Sequence, residues 1–343
     1  MIDNISSRTS TVIDMSEVLI TFATDILCRA VSGKLSMEGR RNNIFRELIE
    51  EVSALFGAFN FADFFRYLGW ADVFFGLNAR AKRHSRKWDD VLDEVIEAHT
   101  KRIQADELND VDFVDVLLSL QKDPNVDFHF TNENIKALLV DMFFAGTDTS
   151  YVVLEWAMAE LVRNPEVTEK LQDEIRGIVG GKSMIREEHL IEMRYLKCVL
   201  KEVLRIHPPA PLLLQRESMK ECEIHGYRIP NKTRVIINAW AISMDPKFWE
   251  APEDFRPERF VDSLIDLKGN DFQLIPFGAG RRMCPGMNFG LASIELALAN
   301  LINQFDWELP DGMSRENFDM TEFPGLTNRR KLKLDLIAKP HYN

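Results

Sequence analysis

From Thr131 to about Arg163 the sequence sustains one unbroken helical pattern, opened by Thr131 with Glu133 and Asn134 and stopped by Asn164-Pro165. At 1.5 Å per residue such a helix is about 50 Å long, enough to cross a whole domain. Its neighbours are helical too. Pro165 restarts an amphipathic segment, PEVTEKLQDEIRGIVGG, with Gly180-Gly181 as its C-cap, and IEMRYLKCVLKEVLRIHPP reads as a further helix closed by Pro208-Pro209. The first 130 residues read as helices broken by polar turns, with Val18, Leu19, Phe22 and Ile26, and again Val91, Val95 and Ile96, at helical spacing. After the prolines the texture changes: residues 222–226, 227–229 and 233–238 run as short strands, 287–305 as a helix, and 332–337 alternate like a closing strand. The expected fold class is mainly α with small β-sheets. No repeat, low-complexity tract or Gly/Ser linker divides the chain, so residues 1–343 read as one domain without a second.

Charge and cysteines narrow the function. Lys and Arg number 42 against 54 Asp and Glu, a net charge of −12, which argues against tracking a phosphate backbone; no nucleic-acid partner is expected. Cys28, Cys198, Cys222 and Cys284 form no CxxC pair, so neither a zinc ribbon nor a disulfide framework is indicated. No run of 18 apolar residues occurs, and the opening MIDNISSRTSTVIDMSEV has neither the basic nor the apolar region of a signal peptide. Residues 55–75 hold nine aromatics, read first as a core layer, with an apolar channel wall or a membrane-dipping patch as alternatives.

Cys284 is the sharpest chemical signal. It stands in PFGAGRRMCPG, a glycine-rich basic loop running into a helix, where loop N–H groups and a helix N-terminus favour a thiolate. A thiolate there is a nucleophile or a metal ligand; the plain alternative is a small, inert, buried cysteine. One thiolate cannot hold zinc alone, but it suffices as the axial ligand of haem iron, whose in-plane positions the porphyrin fills. Phosphate binding by GAGRR is a weaker rival, because GxGxxG fails at Met283 and no GK[ST] follows. Elsewhere, Ala145 and Thr149 share a helix face beside Gly146 and Asp148, which alone could be a helix irregularity. Glu202 and Arg205, three apart, alone read as a surface ion pair.

The Cys284 loop is similar to the haem-binding signature F-x-x-G-x-R-x-C-x-G of the cytochrome P-450 family at Phe277, Gly280, Arg282, Cys284 and Gly286. AGTDTS at 145–150, the E-x-x-R pair Glu202 and Arg205, and FRPERF at 255–260 resemble three further signatures of that family, in the right order. LKEVLRIHPPAPLLLQRES looks most like the plant microsomal members. The resemblance implies Cys284 as axial ligand of a b-type haem, with Phe277, Gly278, Gly286, Ala145 and Gly146 at the cofactor and Arg282 and Arg216 on its propionates. It implies that Gly146 makes room for dioxygen and that Thr149 and Asp148 serve oxygen binding and proton relay. Glu202, Arg205 and Arg259 would hold the cysteine loop; Pro211, Leu212, Leu213 and Leu214 with residues 323–326, Pro324 and Leu326 among them, would surround an apolar substrate.

The implied activity is a haem-thiolate monooxygenase that takes electrons from NADPH-cytochrome P-450 reductase and inserts one atom of O2 into a hydrophobic small molecule, at the cytosolic face of the endoplasmic reticulum membrane. The family's W-x-x-x-R motif is absent: four residues after the tryptophans stand Phe74, Leu92, Glu160, Met244, Glu253 and Asp311. The chain therefore looks like a P-450 fold lacking its N-terminal elements and membrane anchor. An inactive shortened fragment stays as an alternative, as does a haem-thiolate isomerase or dehydratase, against which the Asp148-Thr149 pair argues.

Overall fold

The computed structural model describes residues 1–33, 39–105, 110–180, 184–323 and 325–341. In chain order the first elements are α1 (Ile2–Ser6), β1 (Val12–Asp14), α2 (Met15–Ser32), α3 (Gly39–Phe56), α4 (Phe61–Phe64), α5 (Leu77–Gln104) and α6 (Phe113–Lys122). The long helix α7 (Asn132–Arg163) leads to α8 (Pro165–Val179) and α9 (Arg194–Ile206). Then come β2 (Arg216–Glu217), β3 (Cys222–Ile224), β4 (Tyr227–Ile229), β5 (Arg234–Val235) and α10 (Ala239–Ser243). The last are α11 (Met287–Gln304), β6 (Phe305–Glu308), β7 (Glu322–Phe323), β8 (Arg329–Arg330) and β9 (Asp335–Pro340). The chain is thus mainly α with small sheets. The sequence pattern places α7 between the same residues the structure does; its length and apolar character would suit a membrane span, but half of that stretch is buried in protein, as in a core helix. The closing strand lies three residues later than the alternation suggests, at Asp335–Pro340.

The chain divides into two compact units, residues 20–151 and residues 1–19 with 152–343. In the first, α5 buries His84, Trp88, Leu92, Val95, Ile96 and His99, a stripe at spacings of three and four that gives one helix face to the core. Phe45 of α3 and Phe143 of α7 stack there at 4.5 Å between ring centroids. The nine aromatics of residues 55–75 do not form the expected core layer: Phe56, Phe59, Phe65, Tyr67, Trp70, Phe74 and Phe75 are all exposed. The physical reason is length, since the four-residue α4 and the 3₁₀ turn Arg66–Val73 offer no extended face that could bury so many rings.

In the second unit a three-stranded antiparallel sheet runs in the order β1-β9-β6, with Ile13 opposite Leu336 and Trp307 opposite Ala338. β2 pairs with β5, β3 with β4 and β7 with β8. Leu171 and Ile175 of α8, Leu196, Val199 and Val203 of α9, and Leu298, Leu301 and Ile302 of α11 are fully buried or nearly so. Pro165 opens α8 at its first position, and Gly180 closes it in the left-handed conformation, both as the sequence predicts.

Candidate functional site

The loop that carries Cys284 folds back on itself. The Cys284 N–H donates to the Phe277 carbonyl at 2.9 Å, Met283 N–H to Gly280 C=O at 3.1 Å, and Gly278 N–H to Ile275 C=O at 2.9 Å. A 3₁₀ turn at Gly280–Arg282 tightens the basic stretch, and Gly286 then serves as N-cap of the 18-residue α11. Cys284 is thereby left exposed just ahead of a helix N-terminus, whereas Cys28 and Cys198 are buried. Burial pushes the Cys198 thiol upward, so it is the inert type of cysteine.

Two neighbouring segments reach the loop. Arg216, on β2, donates to the Arg282 carbonyl at 3.2 Å, which brings its guanidinium to the cysteine turn; Arg216 and Arg282 are both exposed. Leu213, at φ +50°, brings its Cδ1 to 4.0 Å from where a Cβ on Gly278 would lie. Pro209 accepts from the Asn328 N–H at 3.0 Å, which ties the proline turn to the β7–β8 region. Leu212 and Leu214 are exposed, Leu213 and Leu326 half-buried; Pro324 lies outside the described residues.

Sequence reasoning missed Gly269. A Cβ there would fall 2.9 Å from the Gly278 carbonyl oxygen and 3.0 Å from Ala279 Cα, at φ +75°, so only glycine lets this turn lie directly against the cysteine loop. The DLKGND turn carries no signal beyond an ordinary Gly. Trp249 was missed too: the guanidiniums of Arg205 and Arg259 lie 5.4 and 6.0 Å from its ring centre.

Glu202, Arg205 and Arg259 come together in the interior. Both oxygens of Glu202 take the Arg205 fork at 2.7 and 2.9 Å, Oε1 also accepts from Arg259 Nε at 2.8 Å and from the Arg256 N–H at 2.9 Å, and Glu202 and Arg205 are 0% exposed. Arg205 reaches on to the Ser243 and Asp254 carbonyls. This is a buried bidentate network, not the surface pair that spacing alone describes.

In the other unit, α7 carries Ala145, Gly146, Asp148 and Thr149. The Thr149 hydroxyl donates to the Ala145 carbonyl at 2.7 Å, one turn back. Asp148 is buried, with the Ser53 hydroxyl 3.5 Å from its Oδ2. A Cβ on Gly146 would stand 2.9 Å from both Leu27 methyl carbons, so this glycine admits the α2 side chain.

The donor set at Cys284 fits a ligand that asks for a single protein sulfur. Among the described residues the one group of three side chains that could hold a metal is His99, Asp112 and Asp115, remote in sequence and with both carboxylates already bonded to Arg102. A Cβ on Gly286 would stand 3.9 Å from Cys284 Sγ, so the missing side chain keeps the approach to sulfur clear. An exposed thiol, a glycine cradle and two adjacent cations suit a flat, anionic cofactor whose metal needs one axial ligand.

Comparison with known proteins agrees with that chemistry. A family model described as Cytochrome P450 matches residues 1–335. Cytochrome P450 71A1 of Persea americana is 48% identical over 99% of this chain and 69% of its own length. Strychnine-11-hydroxylase of Strychnos nux-vomica is 45% identical over 98% and 67%, and indole-2-monooxygenase of Zea mays 48% over 95% and 62%. The chain therefore spans about two thirds of the length of these relatives. Among solved structures, a zebrafish cytochrome P450 with abiraterone superposes with a TM-score of 0.80 at 24% identity, covering 99% of this chain and 75% of that one.

Proposed function

Because the chain belongs to the cytochrome P450 family, whose plant members matched here include monooxygenases and hydroxylases, we propose that it is a haem-thiolate monooxygenase acting on a hydrophobic small molecule, with residues 1–343 working as one P450 domain. The observation that carries this reading is the exposed Cys284 thiol, presented without a second protein ligand by a closed glycine loop at the start of α11. The cofactor is haem b, which when bound supplies the activation of O2 for insertion of one oxygen atom into a C–H bond.

The chain's own groups have separable tasks. Cys284 Sγ, as thiolate, would hold the iron; the N-terminus of α11 favours its negative charge, and the bond from its N–H to the Phe277 carbonyl holds the backbone that carries it. Phe277, Gly278 and Gly286 would line the haem on this loop, and Ala145 and Gly146 are the α7 residues proposed for it. Arg216 and Arg282 would pair with its propionate carboxylates through charge-assisted hydrogen bonds. Glu202, Arg205 and Arg259 fix the strands of chain on which the loop rests. Thr149 Oγ1 holds a proton for the oxygen chemistry and the Asp148 carboxyl replenishes it. Leu212, Leu213, Leu214, Pro324 and Leu326 supply apolar contacts that orient the substrate and exclude water. The names strychnine-11-hydroxylase and indole-2-monooxygenase support ring-bearing substrates. NADPH-cytochrome P-450 reductase delivers the electrons, at the cytosolic face of the endoplasmic reticulum membrane.

The test is the carbonyl difference spectrum of the reduced, haem-loaded chain. The thiolate-type band is expected in the native sequence and is lost in Cys284→Ser, with far-ultraviolet circular dichroism unchanged because the residue is exposed. Persistence of the band in Cys284→Ser refutes the assignment.

A further inference from the structure

His207 caps the C-terminus of α9, and its surroundings are more charged than a core position needs. The ring lies flat on Trp156, centroids 3.9 Å apart and planes within 2°. Its Nε2 is 2.8 Å from Glu160 Oε1, and its Nδ1 faces Glu322 Oε1 at 3.8 Å. Trp156 and Glu160 are one turn apart on α7 and so share a face, while Glu322 belongs to β7. β8 adds the Arg330 guanidinium, 5.3 Å from the Trp156 ring centre, and Glu322 Oε1 also accepts from the Asn328 amide at 2.8 Å. Glu160, Glu322 and Arg330 are the charged groups that face His207 from α7, β7 and β8.

Carboxylates only accept, so a ring with both nitrogens turned to carboxylates is matched as imidazolium and mismatched as the neutral tautomer. The cation also sits at a helix C-terminus, where the backbone dipole favours it. Burial alone would depress the His207 pKa, but the hydrogen bond to Glu160 and the charges of Glu160 and Glu322, the latter facing an Nδ1 that makes no hydrogen bond, outweigh it and hold the pKa above the ordinary value; the contact with His207 lowers that of Glu322. The protonated ring thus bridges two elements that its neutral form would leave less firmly joined.

We propose that His207 is a positioning residue: its imidazolium, seated between Glu160 and Glu322, fixes strand β7 and with it Phe323, the residue next to Glu322, against the α7–α9 frame. Since the proposed function gives Pro324 and Leu326, just beyond Phe323, to the substrate, the consequence for substrate shape rests on that reading, whereas the clamp itself does not. Raising the pH through the His207 pKa releases the strand while the Glu202 network, which contains no histidine, keeps α9 in place.

Amide hydrogen exchange of the full chain tests the clamp, with rates corrected for intrinsic chemistry at each pH. In the native sequence, protection in peptides covering residues 319–331 is expected to fall about tenfold from mildly acid to alkaline pH, with α9 unaffected. His207→Phe, which keeps a flat ring on Trp156, and Glu322→Gln should each abolish that pH dependence, and the double variant should lose no more than either alone. Additive losses, or pH-independent protection in the native chain, overturn the clamp; the native series needs no variant to fold. Titrating the haem-loaded variants with 1-phenylimidazole and following the Soret band separates the two readings. Weaker affinity in step with lost protection supports the substrate consequence; lost protection at unchanged affinity overturns that consequence and leaves the clamp standing.

Discussion

Glu202 holds two guanidiniums on one carboxylate while excluded from water. Removing it leaves buried Arg205 without its counter-charge, so Glu202→Ala is expected to cost about 3–5 kcal/mol, read as a lowered urea midpoint. Thr149 is the opposite case. Its hydroxyl already bonds its own helix, so Thr149→Ala should alter stability by no more than about 0.5 kcal/mol, while NADPH consumed with the reductase goes to peroxide rather than product. Unchanged coupling of NADPH use to product would refute the proton-holding role. At this scale the sequence is informative about chemistry and mute about environment. The spacing of Glu202 and Arg205 is that of any exposed helical pair; only a network assembled from α9 and the segment around Arg259 makes them interior residues. Gly146 shows the same gap, because its neighbour Leu27 is more than a hundred residues away in sequence.

Among the elements, the cysteine loop lies directly against the turn at Gly269. Gly269→Ala would place a methyl group against the Gly278 carbonyl at positive φ, where both strain and overlap oppose it. The expected loss is about 1–3 kcal/mol, together with a lower haem content per chain measured by absorbance. Gly280→Ala, at similar φ but with open space around its Cβ, separates backbone strain from the close approach. Helices are legible wherever one apolar face recurs over several turns, as in α5 and α8, because burial enforces that period. The aromatic segment 55–75 was not legible: hydrophobicity says what would favour burial, while burial requires a partner face, which four- and eight-residue turns do not provide.

For the molecule as a whole, acid and alkali act on a charged corner in residues 20–151. His99 Nδ1 faces the Val95 carbonyl at 2.7 Å and Nε2 the Asp112 carboxylate at 2.9 Å, two acceptors that require the imidazolium. Burial opposes the charge, but these bonds raise the His99 pKa; burial likewise opposes ionised Asp112, and His99, the Asp115 N–H and Arg102 lower its pKa. Stabilisation from His99 is complete below its unfolded pKa and is lost as pH rises through the raised folded one. That from Asp112 is present above its unfolded pKa and is lost as pH falls through the lowered folded one. Urea midpoints followed from neutral to alkaline pH should therefore decline in the native chain, and His99→Gln should flatten that decline. An unaltered alkaline limb in His99→Gln would place the responsible group elsewhere.

The pairing of β1 with β9 also has a consequence in time. Strand Val12–Asp14 is synthesised more than three hundred residues before Asp335–Pro340 and waits for it before its ladder can close. Residues 20–151, an uninterrupted stretch with a core of their own, have no such wait. Synthesis thus serves the two units differently: the contiguous one can assemble as soon as it has emerged, and the discontinuous one only once residues 335–340 have followed. Stalled chains ending near residue 200 should already resist protease over residues 20–151 and stay cleavable at residues 1–19.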